Sequence, residues 1–216
     1  MAGPWPLRYS EQFCLTVSLD KSPEEVMAIY GADPGQARLL PMADAPYVPP
    51  PDTTLHVGHV GEWTFGIDFD EHIGSTKQVM RDLSEQGESM ILFRTAKALT
   101  VFHYAVNGRI AEWFEPGYPP SSRGVSPHQF SQRVHELTSV GIHPVSACLQ
   151  VIARRTGREL TTEDAHGPLH TVVIEKPDRA ALEHPEPLLL FPVHLRKNSR
   201  PLGRRLHTGR RSAEDA

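Results

Sequence analysis

The chain contains no apolar run near the roughly 18–20 residues that a membrane-crossing helix requires, so no membrane span is expected. Its opening residues, Met-Ala-Gly-Pro-Trp-Pro, lack the basic and apolar regions of a secretory signal. Cysteine is scarce. Cys14 and Cys148 lie in apolar-patterned segments, and two buried free thiols are expected rather than a disulfide. Both features make the cytoplasm the expected compartment. Motifs of common chemistry are missing too: no G-x-S-x-G elbow, no G-x-x-x-x-G-K-[ST] phosphate loop, no G-x-G-x-x-G after a strand, no H-E-x-x-H. The standard hydrolase, P-loop, dinucleotide and zinc-protease readings therefore fall away, and no cofactor is expected.

What is present is ordinary globular composition. The 216 residues are 39% hydrophobic and 22% charged, enough to bury a substantial core. Proline is the exception, with 20 residues clustered around Pro46–Pro51 and Pro185–Pro192, which marks loops rather than element interiors. Charge is unevenly placed. From Arg196 onward there are seven basic and two acidic residues, leaving 15 basic and 24 acidic before that point. An acidic body is followed by a basic tail.

Local signals then give the order of elements. Phe13–Val17 reads as a strand, and Ser22-Pro23 with Glu25 as a helix start with a capping box. Residues 32–53 have no sustained periodicity and are expected to form a long Pro-rich loop, either a lid or an insert. Leu55–Val60 and Trp63–Phe69 alternate as two strands around Gly61-Glu62. Ser75, with Gln78 three residues on, predicts a second cap; Ser89–Arg94 predicts a strand. Leu99–Val106 and Arg109–Phe114 flank Asn107-Gly108, a strong hairpin signal because both turn residues tolerate positive φ. Helices follow from Ser126-Pro127 to about Val140 and from about Val145 to Arg155, then a short helix start at Thr161 and a last strand at Leu169–Ile174. The pattern predicts an α+β fold: a mostly antiparallel sheet packed against helices on one side. The expected organisation is an N-terminal extension over 1–12, one compact domain over 13–175 and a flexible, disordered Pro/Arg-rich tail over 176–216.

Several of these segments form a recognisable set. Phe13-Cys14-Leu15-Thr16-Val17, Ser22-Pro23-Glu24-Glu25-Val26, Val60-Gly61-Glu62-Trp63-Thr64, Phe93-Arg94, Phe114-Glu115-Pro116 and Ala153-Arg154-Arg155-Thr156-Gly157 together resemble an uncharacterised actinobacterial protein family, known as a domain of unknown function. The resemblance covers about residues 13–165, leaving the Pro-rich loop before Leu55 and the tail outside. It implies no activity and carries over no catalytic residue. The turn at Asp70-Glu71-His72 departs from the family's polar-Gly-aromatic pattern.

Candidate sites are few. Asp68, Asp70 and His72 offer carboxylates and an imidazole suited to a metal ion. The alternative is a solvated turn whose acids favour the start of the next helix. His56 and His59, three apart on a strand, face opposite sides and do not share a metal. Trp63 and Trp113 offer a ligand or partner surface, or else pack the sheet on its helices. Arg94 either pairs across the sheet with Glu112 or Glu115 or contacts an anion. The expected function is a non-enzymatic protein-binding domain, accessory or immunity-like, meeting a partner through its acidic body, a sheet edge or the long loop. The alternative is a small-ligand binder or enzyme with a pocket between the sheet and the 126–156 helices. Nucleic-acid contact is expected only weakly, through the basic tail.

Overall fold

The computed structural model describes Trp5, residues 7–125 and residues 128–175. The Ser126-Pro127 cap and the 176–216 tail fall outside these residues. Among the described residues nine strands build one antiparallel sheet: β1 (Phe13–Leu19), β2 (Arg38–Pro41), β3 (Thr53–Val60), β4 (Trp63–Asp68), β5 (Glu88–Arg94), β6 (Thr100–Val106), β7 (Arg109–Glu115), β8 (Tyr118–Gly124) and β9 (Pro168–Ile174). Their order across the sheet is β2-β9-β3-β4-β1-β5-β6-β7-β8. Five α-helices accompany them among the described residues: α1 (Pro23–Ile29), α2 (Lys77–Leu83), α3 (Ser131–Ser139), α4 (Pro144–Thr156) and α5 (Thr162–His166). The α+β fold class holds.

Local chemistry explains the elements read correctly. Ser22 accepts from the Glu25 N–H and Glu25 accepts from the Ser22 N–H, closing the box at the start of α1. Asn107 and Gly108 take φ of 50° and 72°, the mirror-image turn that matches strand twist. At α2 the expected box does not form. Ser75 donates its hydroxyl to the His72 carbonyl, Gln78 reaches Asp82, and the helix begins at Lys77.

The sheet is covered on both faces, not one. Strand alternation in β1 sends Phe13, Leu15 and Val17 to one side, where they join Phe65, Ile67, Leu92 and Phe102 under Val134 of α3 and Val145, Cys148 and Ile152 of α4. Cys14 points to the other side, against Met80 of α2 and Ile91; Leu55 and Val57 pack there on Val26 and Met27 of α1. Trp5 and Leu7 are buried in the first of these cores, and the main-chain N–H of Trp5 donates to the Leu160 carbonyl. Residues 32–53 are not a structureless loop either. They contain edge strand β2, paired in register with β9 from Arg38–Thr171 to Pro41–Pro168. The other edge is β8, unpredicted because Tyr-Pro-Pro-Ser-Ser-Arg-Gly shows no alternation. Proline lacks the N–H that a further strand would need, so Pro41, Pro119 and Pro120 blunt both edges. Cys14 and Cys148 are free and buried.

Candidate functional site

Within the acidic turn Asp68 is sealed and Asp70 is exposed. Asp68 ends β4 with no exposed surface, and its Oδ1 accepts from the His72 N–H at 2.8 Å. Its Oδ2 has no hydrogen-bond partner, and burial raises the carboxyl from its ordinary 3.8 to about 6. Burial, then the charge of Asp68, pushes the Cys14 thiol well up; Tyr30 is raised chiefly by burial as well. Gly74 closes this box. A Cβ there would meet the Tyr30 hydroxyl and Thr16 Cγ2. His72 sits in the left-handed region, φ 54°, and donates from Nε2 to the Arg94 carbonyl at 2.8 Å. Asp70 lies on the exposed side, lining a pocket with Tyr47, His56 and Phe69. Asp68, Asp70 and His72 thus serve different surroundings, and no three metal-ligating side chains converge among the described residues.

The tryptophans also part company. Trp63 is 5% exposed in the main core. Trp113 is half-buried on the α1–α2 face, stacked on His103 at 6.3 Å, while Phe93 meets the other side of that ring at 5.7 Å. His103 Nδ1 lies 2.9 Å from Met80 Sδ and its Nε2 has no partner. Burial lowers its pKa to about 3, so the ring is neutral at physiological pH.

On the helix pair, with no sheet residue in its lining, lies a pocket of about 310 Å³ bounded by Gln129, Phe130, Val151, Arg133, Arg154 and Arg155. Two of its three cations are already paired. Arg155 forks Glu88, whose Oε2 also accepts from the Tyr104 hydroxyl at 2.5 Å, and Arg133 meets Glu136 at 3.0 Å. Glu112 is likewise engaged: it accepts the N–H groups of Phe130 at 3.0 Å and Ser131 at 2.8 Å, where α3 begins.

Arg94 is different. It pairs with neither Glu112 nor Glu115, correcting the expected cross-sheet bridge. Glu115 is half-buried, and alternation along β7 puts it on the face opposite Glu112. Arg94 Nη1 donates to the carbonyl of Arg8 at 3.2 Å, while its buried Nε has no partner. His143, the N-cap of α4, accepts from the Val145 N–H at 3.3 Å. Its pKa is lowered by burial first and then by the charges of Arg94 and Arg8. No carboxylate offsets them: neither arginine forms an ion pair among the described residues. The N-terminus of a 13-residue helix adds partial positive charge at the same place.

This cluster stands at one end of the sheet. Register places the start of β1, the end of β5 and the start of β6 together, with Phe13 opposite Arg94 and Arg94 opposite Thr100; the β7–β8 turn pairs Glu115 with Tyr118 at the same end. Four large apolar side chains protrude from the surrounding segments: Tyr9 (73% exposed), Leu99 (43%), Tyr118 (56%) and Val140 (76%). Sequence reading singled out Arg94 but missed Arg8 and His143, which lie 86 and 49 positions away and carry no motif.

Residues 6–150 match the model of a family of unknown function, DUF6461. The chain belongs to this family. The DUF6461 match takes in the Pro-rich segment before Leu55 and stops within α4, correcting the 13–165 extent expected from the sequence. Arg8, Arg94 and His143 all lie inside it. No curated protein and no solved structure matches the chain. No helix among the described residues is long and apolar enough to cross a membrane.

Proposed function

We propose that this DUF6461 domain is a non-catalytic, cytoplasmic protein-interaction module of accessory or immunity-like type. Its contact surface is the sheet end around Arg8, Arg94 and His143, and its partner presents an acidic segment flanked by apolar residues. The observation that carries the reading is Arg8 and Arg94 beside the N-cap of α4, neither paired with a carboxylate among the described residues. Arg8 lies over the Tyr9 ring at 4.6 Å, and Tyr9, Leu99, Tyr118 and Val140 are exposed on neighbouring segments. Guanidinium groups recognise carboxylates by charge and fork geometry. They stay protonated near neutrality and do not serve as general acids or bases. Asp68, Cys14 and His103, whose protonation is perturbed by burial, are themselves closed off from solvent. Strand addition at a sheet edge is disfavoured by Pro41, Pro119 and Pro120.

The test is a paired capture from the native host with the wild-type chain and an Arg8→Glu/Arg94→Glu variant of unchanged circular dichroism. A stoichiometric partner retained by the first and lost from the second is expected. Equal retention by both would sink the assignment of this surface.

A further inference from the structure

The pocket beneath the Pro-rich segment carries a separate inference. It measures about 360 Å³ and is bounded by Pro46, Tyr47, Thr54, His56, Phe69 and Asp70, with no lysine or arginine in its lining. The state of its floor follows from hydrogen-bond logic. Thr171 Oγ1 lies 3.1 Å from His56 Nδ1 and 3.2 Å from the Leu169 carbonyl, which can only accept. We assign the hydroxyl proton to the carbonyl; Oγ1 then accepts from His56 Nδ1, and the lone pair of the ring is on Nε2. His56 is only 4% exposed, yet Nε2 is absent from the sealed, unpartnered polar atoms and forms no hydrogen bond. An unpaired acceptor thus opens from the floor into the pocket. Burial lowers the His56 pKa to about 4, which keeps the ring an acceptor near neutrality.

Asp70 adds a carboxylate, Phe69 packs edge-on to His56 at 6.5 Å, and the Tyr47 ring stands 87% exposed at the rim. Acceptors and aromatic faces without a competing cation are the elements that bind a positively charged donor.

We propose that the pocket formed by Tyr47, His56, Phe69 and Asp70 binds an organic cation, a primary ammonium or guanidinium group on a short apolar arm. His56 Nε2 accepts one N–H, Asp70 balances the charge, and Tyr47 and Phe69 cover the arm. The site is independent of the arginine surface proposed above. A free amine and an arginine side chain displayed on a peptide share this chemistry.

The test is titration of the full chain with agmatine, n-butylammonium, n-butanol and acetyl-Gly-Arg-Gly-amide, followed by calorimetry and by the His56 ring resonances. Saturable binding of a cation at least 10-fold tighter than of n-butanol is expected, with a shift at His56. Asp70→Asn should weaken it about 10-fold and Tyr47→Ala about 3-fold; both side chains lie at the surface, so folding is preserved. Agmatine binding without peptide binding assigns a free amine, and the reverse assigns a displayed side chain. Equal affinity for n-butanol, unchanged affinity in Asp70→Asn or no binding of any cation would overturn the proposal.

Discussion

Arg94 donates to the main-chain carbonyl of Arg8 at 3.2 Å, so the two residues are linked through backbone rather than through a carboxylate. A structural arginine would be expected to neutralise an acid. This one neutralises none among the described residues, and its Nε is buried without a partner. Arg94→Met should therefore change stability by less than about 1 kcal/mol, one carbonyl hydrogen bond being offset by removal of the buried, unpartnered Nε. Urea unfolding measures this. The same substitution should raise the His143 pKa, followed by its ring resonances, because a repelling charge is removed.

Arg155 makes the opposite case. It forks Glu88, which is 7% exposed and held also by Tyr104. Arg155→Met strands a buried carboxylate and should cost about 1–3 kcal/mol, at the lower end of buried-pair losses because the arginine side chain is 44% exposed. Adding Glu88→Gln should recover part of the loss. A double-mutant cycle in urea tests the coupling.

Asp68 gives a pH signature. Its folded pKa, about 6, exceeds the ordinary 3.8, so the folded state holds the proton more tightly. The stability it contributes is full below about 3.8 and is lost as pH rises through about 6. At pH 7 the buried charge costs on the order of 2–3 kcal/mol. Asp68→Asn keeps an acceptor for the His72 N–H and should be more stable than wild type at pH 7, with the difference shrinking towards pH 4. Unfolding midpoints across that range measure it.

His103 acts with the other sign. Its folded pKa, about 3, lies below the ordinary 6.5, so its contribution is present above 6.5 and is lost as pH falls towards 3. His103→Phe keeps an aromatic ring between Phe93 and Trp113 and removes the unpartnered Nε2. Its stability should fall less than that of wild type between pH 6.5 and 4, read from the same unfolding series.

Features written in adjacent residues were legible in the sequence. The Ser22–Glu25 box and the Asn107-Gly108 turn depend on neighbours alone, and Trp63, Phe65 and Ile67 announce their face by alternation. The edge strands were not, since β2 and β8 contain proline and bury little. The second helix layer was hidden because the alternate β1 residues Cys14, Thr16 and Ser18 read as a solvent face, although all three are buried. At the site, Arg94 stood out as a charge in a strand, but its meaning depends on Arg8 and His143. The His56 tautomer rests on Thr171, 115 positions away. Such relationships are set by register, which the local pattern does not encode.

The most direct test of the proposed interaction surface is a heteronuclear NMR titration of the full chain with a short peptide mixing glutamate with leucine and phenylalanine, at physiological salt. Saturable shifts should cluster at residues 8–9, 94–99, 117–118 and 140–143, with the His143 pKa rising as carboxylates offset Arg8 and Arg94, and should vanish in Arg8→Glu/Arg94→Glu. Absence of saturable shifts, or shifts centred elsewhere and unchanged in that variant, would contradict it.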